Sequence, residues 1–154
     1  MAEKINNQQM TIDATDCIAG RMSSHVSKLL QQGYNVSIVN AEKTMLSGNR
    51  YKTIQTYKEF LEIKSNTNPI HGPFHPRRPD RILTKMIRGM LPKRKPSGKT
   101  ALKRLRVYVS VPPELKNAKM ESFEDSKIRK PQSYFITLGE VAKEIGWNGR
   151  DNYE

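Results

Sequence analysis

Only one cysteine, Cys17, stands in the whole sequence, so an intramolecular disulfide and a cysteine-built zinc site are both excluded. A lone cysteine near the end of a short strand is expected to be a small buried hydrophobe, not a reactive thiol. Long apolar runs are missing too: nothing approaches the ~20 residues that a membrane span requires. Residues 1–10 are polar and lack the apolar stretch of a secretory leader. Together these absences predict an intracellular protein without a membrane partner. The hydrophobic fraction is only 36%, which predicts a modest core under a large wetted surface. At 154 residues the chain is expected to form a single domain with a real core.

The scarcity with the largest consequence is of acids in the middle of the chain. Residues 71–106 hold twelve Lys/Arg against one acid, Asp80, a net charge of +11 out of +12 for the whole protein. The cations are Arg77, Arg78, Arg81, Lys85, Arg88, Lys93, Arg94, Lys95, Lys99, Lys103, Arg104 and Arg106. Ordinary solvated surfaces mix the two signs. Gathering one sign in so short a stretch costs self-repulsion unless a polyanion neutralises it. The block therefore predicts nucleic-acid binding that weakens steeply with salt, because each neutralised phosphate releases condensed counterions.

Periodicity places this block in an α/β frame. Residues 10–14 and 36–39 read as short strands, and Met22, Val26, Leu29 and Leu30 share one face of a helix that Gly33 stops. A second helix follows the Ser47-Gly48-Asn49 turn, with Tyr51, Ile54, Tyr57 and Leu61 in register. Residues 105–111 alternate strictly and read as the clearest strand, closed by Pro112-Pro113. Strands separated by helices imply βαβ units and a largely parallel sheet. Residues 114–130 read as a short helix and loop, 133–136 as a last strand, and Thr137 with Glu140 as a capping box before a helix that Gly146 stops. The last eight residues read as a polar tail.

Within the basic block, residues 71–79 form a loop stiffened by three prolines. A helix then opens with Asp80 as its expected N-cap. Ile82, Leu83, Met86, Ile87 and Met90 make its apolar face, and Arg81, Lys85 and Arg88 its basic stripe. Residues 91–99 look too proline-rich and too charged to bury, with a short helical turn following at Ala101 and Leu102. Phe74, His71 and His75 are placed to stack on unpaired bases, although Phe74 could equally pack on the body. Gly20-Arg21 opens the first helix and offers free N–H groups to an anion.

Other chemistries fit poorly. Ser97-Gly98-Lys99-Thr100 resembles the end of a phosphate loop, but Lys93 stands where its first glycine is needed and no strand leads in. His71 and His75 are four apart, yet Gly72, Pro73 and Pro76 forbid the helix that would converge them on a metal. No histidine falls in a recognisable Ser/His/Asp or Cys/His arrangement. The cationic helix carries no Asn or Gln to read bases in a DNA groove. The expectation is a protein with no enzymatic role, no cofactor, no metal and no small-molecule substrate.

With these residues in view, the chain resembles the L-thirteen family of large-subunit ribosomal proteins. The strongest likeness is at 87–108, with Arg-Gly-Met-Leu-Pro at 88–92, the following Gly98, and Leu105, Val107 and Tyr108. Residues 12–30, including Gly20-Arg21, and 38–50, ending in Asn49-Arg50, support it, and 72–82 is similar to the archaeal and eukaryotic branch. These segments span about two thirds of the chain in the expected order. The long C-terminal helical extension of eukaryotic cytosolic members is missing, which points to the archaeal type; residues 114–154 match only loosely. The resemblance implies a three-layer α/β/α fold around a four-stranded, largely parallel sheet. It also implies a structural role in the large subunit of the cytoplasmic ribosome, with large-subunit rRNA and neighbouring ribosomal proteins as partners. By the same resemblance, residues 88–99 and 77–81 would face rRNA, with Gly20-Arg21 and Asn49-Arg50 adding contacts.

Overall fold

A computed structural model describes residues 8–149. At its centre is a four-stranded sheet in the order β4-β2-β1-β5, parallel throughout. Its strands are β1 (Gln9–Asp13), β2 (Asn35–Val39), β4 (Leu105–Val107) and β5 (Met120–Glu121). The register aligns Met10 with Val36 and Ile12 with Ile38, and then Val36 with Leu105 and Ile38 with Val107. One face of the sheet is therefore a continuous apolar surface, and all six of these side chains join the main core cluster. The other face carries Thr11 and Ser37, both buried, and the exposed Arg106. The fold is α/β, as the sequence predicts. A second, antiparallel pair joins β3 (Met45–Ser47) to β6 (Phe135–Thr137).

Parallel neighbours need long crossovers, and here they are helical. The β1–β2 crossover is α1 (Ala19–Gln32), which buries Met22, Val26 and Leu30. It ends at Gly33, whose left-handed backbone (φ 102°) lets its N–H reach the Leu30 carbonyl. The β2–β4 crossover holds β3, α2 (Arg50–Glu62), α3 (Pro79–Met90) and α4 (Pro96–Lys103). Almost all of the basic block thus hangs between two adjacent strands of one sheet. The chain closes with α5 (Leu138–Glu144), capped by Thr137, whose hydroxyl accepts the Glu140 N–H at 3.2 Å.

Several elements differ from the sequence reading, each for a local reason. Asp80 is not the cap of α3: Pro79 takes the first helical position, Arg78 becomes the N-cap, and Asp80 sits in the first turn with Arg78 Nε 3.1 Å from its carboxylate. Met90 belongs to the apolar pattern but is exposed, because Leu91 takes the buried place at the helix end. The strand expected over 105–111 pairs only over Leu105–Val107. Beyond it Tyr108 exchanges bonds with Ile38 and Ala41, while Val109 remains buried. Residues 96–103 form a complete helix with Gly98 and Ala101 buried. α2 buries no residue fully, and Tyr51, placed on its apolar face, is 79% exposed. Residues 114–130 contain 3-10 turns and the two-residue β5, with no α-helix. Trp147, expected in a polar tail, packs against the core, and His25 of α1 stacks on Phe123 at 4.9 Å. Residues 1–7 of the polar N-terminus and 150–154 of the tail lie outside the described residues.

Candidate nucleic-acid interface

The spine of the candidate interface is α3. Ile82, Leu83 and Ile87 are buried in the core shared with α1, so the helix is fixed in rotation. Arg81, Lys85 and Arg88, spaced i, i+4 and i+7, then fall together on the outer face. Its acidic first turn and basic last turn also suit the helix dipole.

At the N-terminal end of α3 lies the proline-stiffened loop 71–79. Phe74 is 72% exposed, which leaves its ring free to stack. Lys85 Nζ donates to the Phe74 carbonyl at 3.1 Å and ties the loop to the helix. His75 Nε2 lies 3.0 Å from the Ile63 carbonyl, and His71 is exposed. Among the described residues no group of three or more His, Cys, Asp or Glu is placed to hold a metal ion.

At the other end, Leu91 turns extended (φ −91°, ψ 153°) and buries its side chain. Pro92 follows, and its carbonyl accepts the Lys95 N–H at 3.0 Å. Pro96 then starts α4 with its φ already suited to a helix. Gly98 packs directly on this turn: a Cβ there would stand 2.3 Å from the Pro92 carbonyl oxygen, a distance no side chain tolerates. The close approach leaves a recess of about 320 Å³ between α3 and α4. Leu91, Gly98 and Leu102 line it together with Arg88, Lys93, Lys99 and Lys103, and no acid does.

The predicted contact residues divide by what they already hold. Arg81, Arg88, Lys93, Arg94, Lys95, Lys99, Lys103 and Arg106 are exposed and, among the described residues, their side chains have no acid or hydrogen-bond partner. Arg77 is exposed as well, with its guanidinium close to Gly146. Arg78 is paired with Asp80, and Arg104 donates to the Leu30 carbonyl at the end of α1, 3.2 Å away. These two, with Lys85, brace the protein. Asn49 caps α2, its side-chain oxygen accepting the N–H of Tyr51 at 2.9 Å and of Lys52 at 3.4 Å. Arg50 lies 3.9 Å from Glu140. Lys130, Ser133 and Tyr134 share a recess with Asn49. The sequence reading passed over them because the β3–β6 pairing that brings them there is long-range.

Gly20-Arg21 stands apart. α4 meets the far end of α1, so the helix length, about 20 Å at 1.5 Å per residue, separates this pair from the cationic recess. The first turn of α1 has neither an acid nor a side-chain cap, and Arg21 Nη1 is 3.5 Å from the Asp125 carbonyl. Beneath it, Asp13 Oδ1 gathers three donors: Asn40 Nδ2 at 2.9 Å, Thr15 N at 3.0 Å and Thr15 Oγ1 at 2.7 Å. Burial disfavours the Asp13 charge, but those bonds and the nearby Lys43 outweigh it and hold the carboxyl below the usual carboxylate range.

Comparison with known proteins identifies a family. The family model described as "Ribosomal protein L13" matches residues 7–114, which include the whole basic block. The Methanosarcina barkeri protein named large ribosomal subunit protein uL13 is 44% identical over 137 residues, covering 88% of this chain and 96% of the relative. The protein of that name from Aeropyrum pernix is 41% identical over 143 residues, 92% of each chain. The one from Saccharolobus solfataricus is 39% identical over 150 residues, 97% of this chain and all of the relative. A family match over more than half of the sequence and archaeal relatives at such identity lead to one conclusion: this chain belongs to the ribosomal protein L13 family.

Proposed function

We propose that this protein is a structural constituent of the large subunit of the cytoplasmic ribosome. It holds folded large-subunit rRNA through three adjoining surfaces: the loop at 71–79, the cationic face of α3, and the corner formed by residues 93–95 and α4. Family membership gives it a structural role and no catalytic one. Neighbouring large-subunit proteins complete its surroundings. The observation that carries the reading is the set of exposed, unpaired cations held on a single crossover of a rigid sheet.

Recognition rests on RNA shape and phosphate positions. Residues 71–106 contain no Asn or Gln, the side chains best suited to reading base edges, and many Lys and Arg, which suit phosphates. Arg adds bidentate phosphate contacts and stacking on bases. The prolines limit fluctuation of the loops and so lower the ordering entropy lost on binding. Arg78, Lys85, Arg104 and Asn49 act by holding the surface in shape. Gly20-Arg21 and Arg50 supply separate, weaker contacts.

The test is a triple charge reversal, Lys93→Glu with Arg94→Glu and Lys95→Glu. All three side chains are exposed, so the isolated protein is expected to keep its circular dichroism spectrum and melting temperature. Its incorporation into large subunits, read by sedimentation of the tagged protein in lysate, is expected to be lost. Normal incorporation would refute this assignment of the loop.

A further inference from the structure

We infer that the recess between α3 and α4 is a seat for one unstacked nucleotide of the bound RNA, and not simply part of a continuous phosphate-binding surface. The inference rests on the RNA-binding reading above and names what one part of that surface takes.

A surface that follows only a duplex backbone needs cations on a convex or flat face. Here the cations surround a hollow. Arg88, Lys93, Lys99 and Lys103 stand around a floor made by Leu91 and Leu102, and the recess of about 320 Å³ contains no acid. That size is at the lower end of the roughly 300–1,000 Å³ of small-ligand pockets. It fits a single base with its sugar and is too small for a base pair. An apolar floor offers nothing to phosphate, but it does match the face of a base, while four cations match the phosphates on either side of it. Bases splayed out of irregular RNA are the parts that proteins hold in this way.

The recess is also preformed. Leu91 is 4% exposed, and Gly98 packs directly on the Pro92 carbonyl, which seats α4 against the turn. Binding would therefore require little reorganisation of the protein. No Asp, Glu, Asn or Gln lines the hollow, so no carboxylate or amide side chain is there to read a base edge. With its four cations turned to the flanking phosphates, the seat should select an unstacked nucleotide with little preference between adenine and uracil.

The experiment uses the full-length protein and three RNA hairpins of otherwise equal sequence: one fully paired, one with a single bulged adenosine and one with a single bulged uridine. A 4-thiouridine version of the last allows photo-crosslinking. The bulged hairpins are expected to bind about tenfold more tightly than the paired one and within about threefold of each other. The crosslink is expected on peptides covering residues 88–103. Leu102→Trp, which fills the floor and leaves every cation in place, is expected to abolish the preference for the bulged hairpins; a preference kept in full would overturn the seat. Lys99→Gln with Lys103→Gln is expected to weaken all three hairpins. Millimolar adenosine monophosphate is expected to leave the bulged complexes intact; displacement by it would assign the hollow to free nucleotides and overturn the inference. Equal binding of paired and bulged hairpins, or a crosslink elsewhere, would overturn the seat but leave the phosphate-binding surface standing. Failure to bind any hairpin at low salt would overturn the surface itself. If Leu102→Trp does not fold, the wild-type preference and the crosslink position still decide the question.

Discussion

Asp13 shows how much one side chain can organise at the end of a strand. Its Oδ1 accepts from Thr15 and from Asn40, and Asn40 sits in the left-handed region (φ 57°) where a short amide is tolerated better than most side chains. Because the folded-state carboxyl titrates below the ordinary range, its stabilising effect is full above the unfolded-state value and fades as pH falls through the folded one. Asp13→Ala should therefore cost about 1–3 kcal/mol near neutrality, the usual penalty for stranding partly buried donors. The difference from wild type should shrink in strongly acidic buffer, as urea unfolding at several pH values would reveal. Cys17 makes the opposite point. It is fully buried and burial pushes its thiol pKa up, as expected for the small hydrophobe that the lone cysteine suggested. A chromogenic disulfide reagent should leave it unmodified in native buffer and titrate one thiol in denaturant; rapid native labelling would contradict this placement.

At the scale of elements, legibility depended on whether a pattern was decided locally. α1 was readable because Met22, Val26 and Leu30 repeat at helical spacing and Gly33 supplies a stop that nothing distant has to enforce. The parallel sheet was readable because helices separate its strands. β5 was not, since two residues carry no period and only pairing with β1 defines them. α4 was misread because its cations and Pro96 suggest a loop, although Pro96 at the first helical position and the small Gly98 and Ala101 on one side were usable signals. α2 misled in the other direction: its spacing is helical, but no neighbour covers it. The candidate site followed the same rule. The cations were countable in the sequence, whereas the hollow they surround required the Gly98–Pro92 contact, which residue types alone do not encode. Gly98→Ala tests that contact. Its added methyl meets backbone, so the protein should lose about 1–3 kcal/mol and should also bind RNA less tightly because α4 is pushed off the turn. Unchanged stability would show that the turn yields more easily than its packing implies.

For the whole molecule, the decisive property is the separation of a core from an unneutralised charge. Ile12, Met22, Ile38, Leu83 and Ile87 are fully buried within one cluster, and the cations stand outside it. Core and interface should therefore respond to different perturbations. Ile87→Ala should destabilise the fold by about 2–5 kcal/mol through the cavity it leaves, yet RNA affinity measured below the melting transition should hardly change. Moderate salt should do the reverse, steadying the isolated protein by screening like charges while weakening its complex. Loss of RNA affinity in step with stability across a set of core variants would mean that the two are not separable.

The proposed function requires a polyphosphate to supply the counter-charge for residues 71–106. The most direct measurement is equilibrium binding of the purified protein to a large-subunit rRNA transcript over a series of potassium chloride concentrations. With eight exposed, unpaired cations available, affinity should fall about a thousandfold or more between roughly 50 and 200 mM salt, with a log–log slope of about −5 to −7. Affinity that stayed level across that range, or no binding at its low-salt end, would contradict the claim.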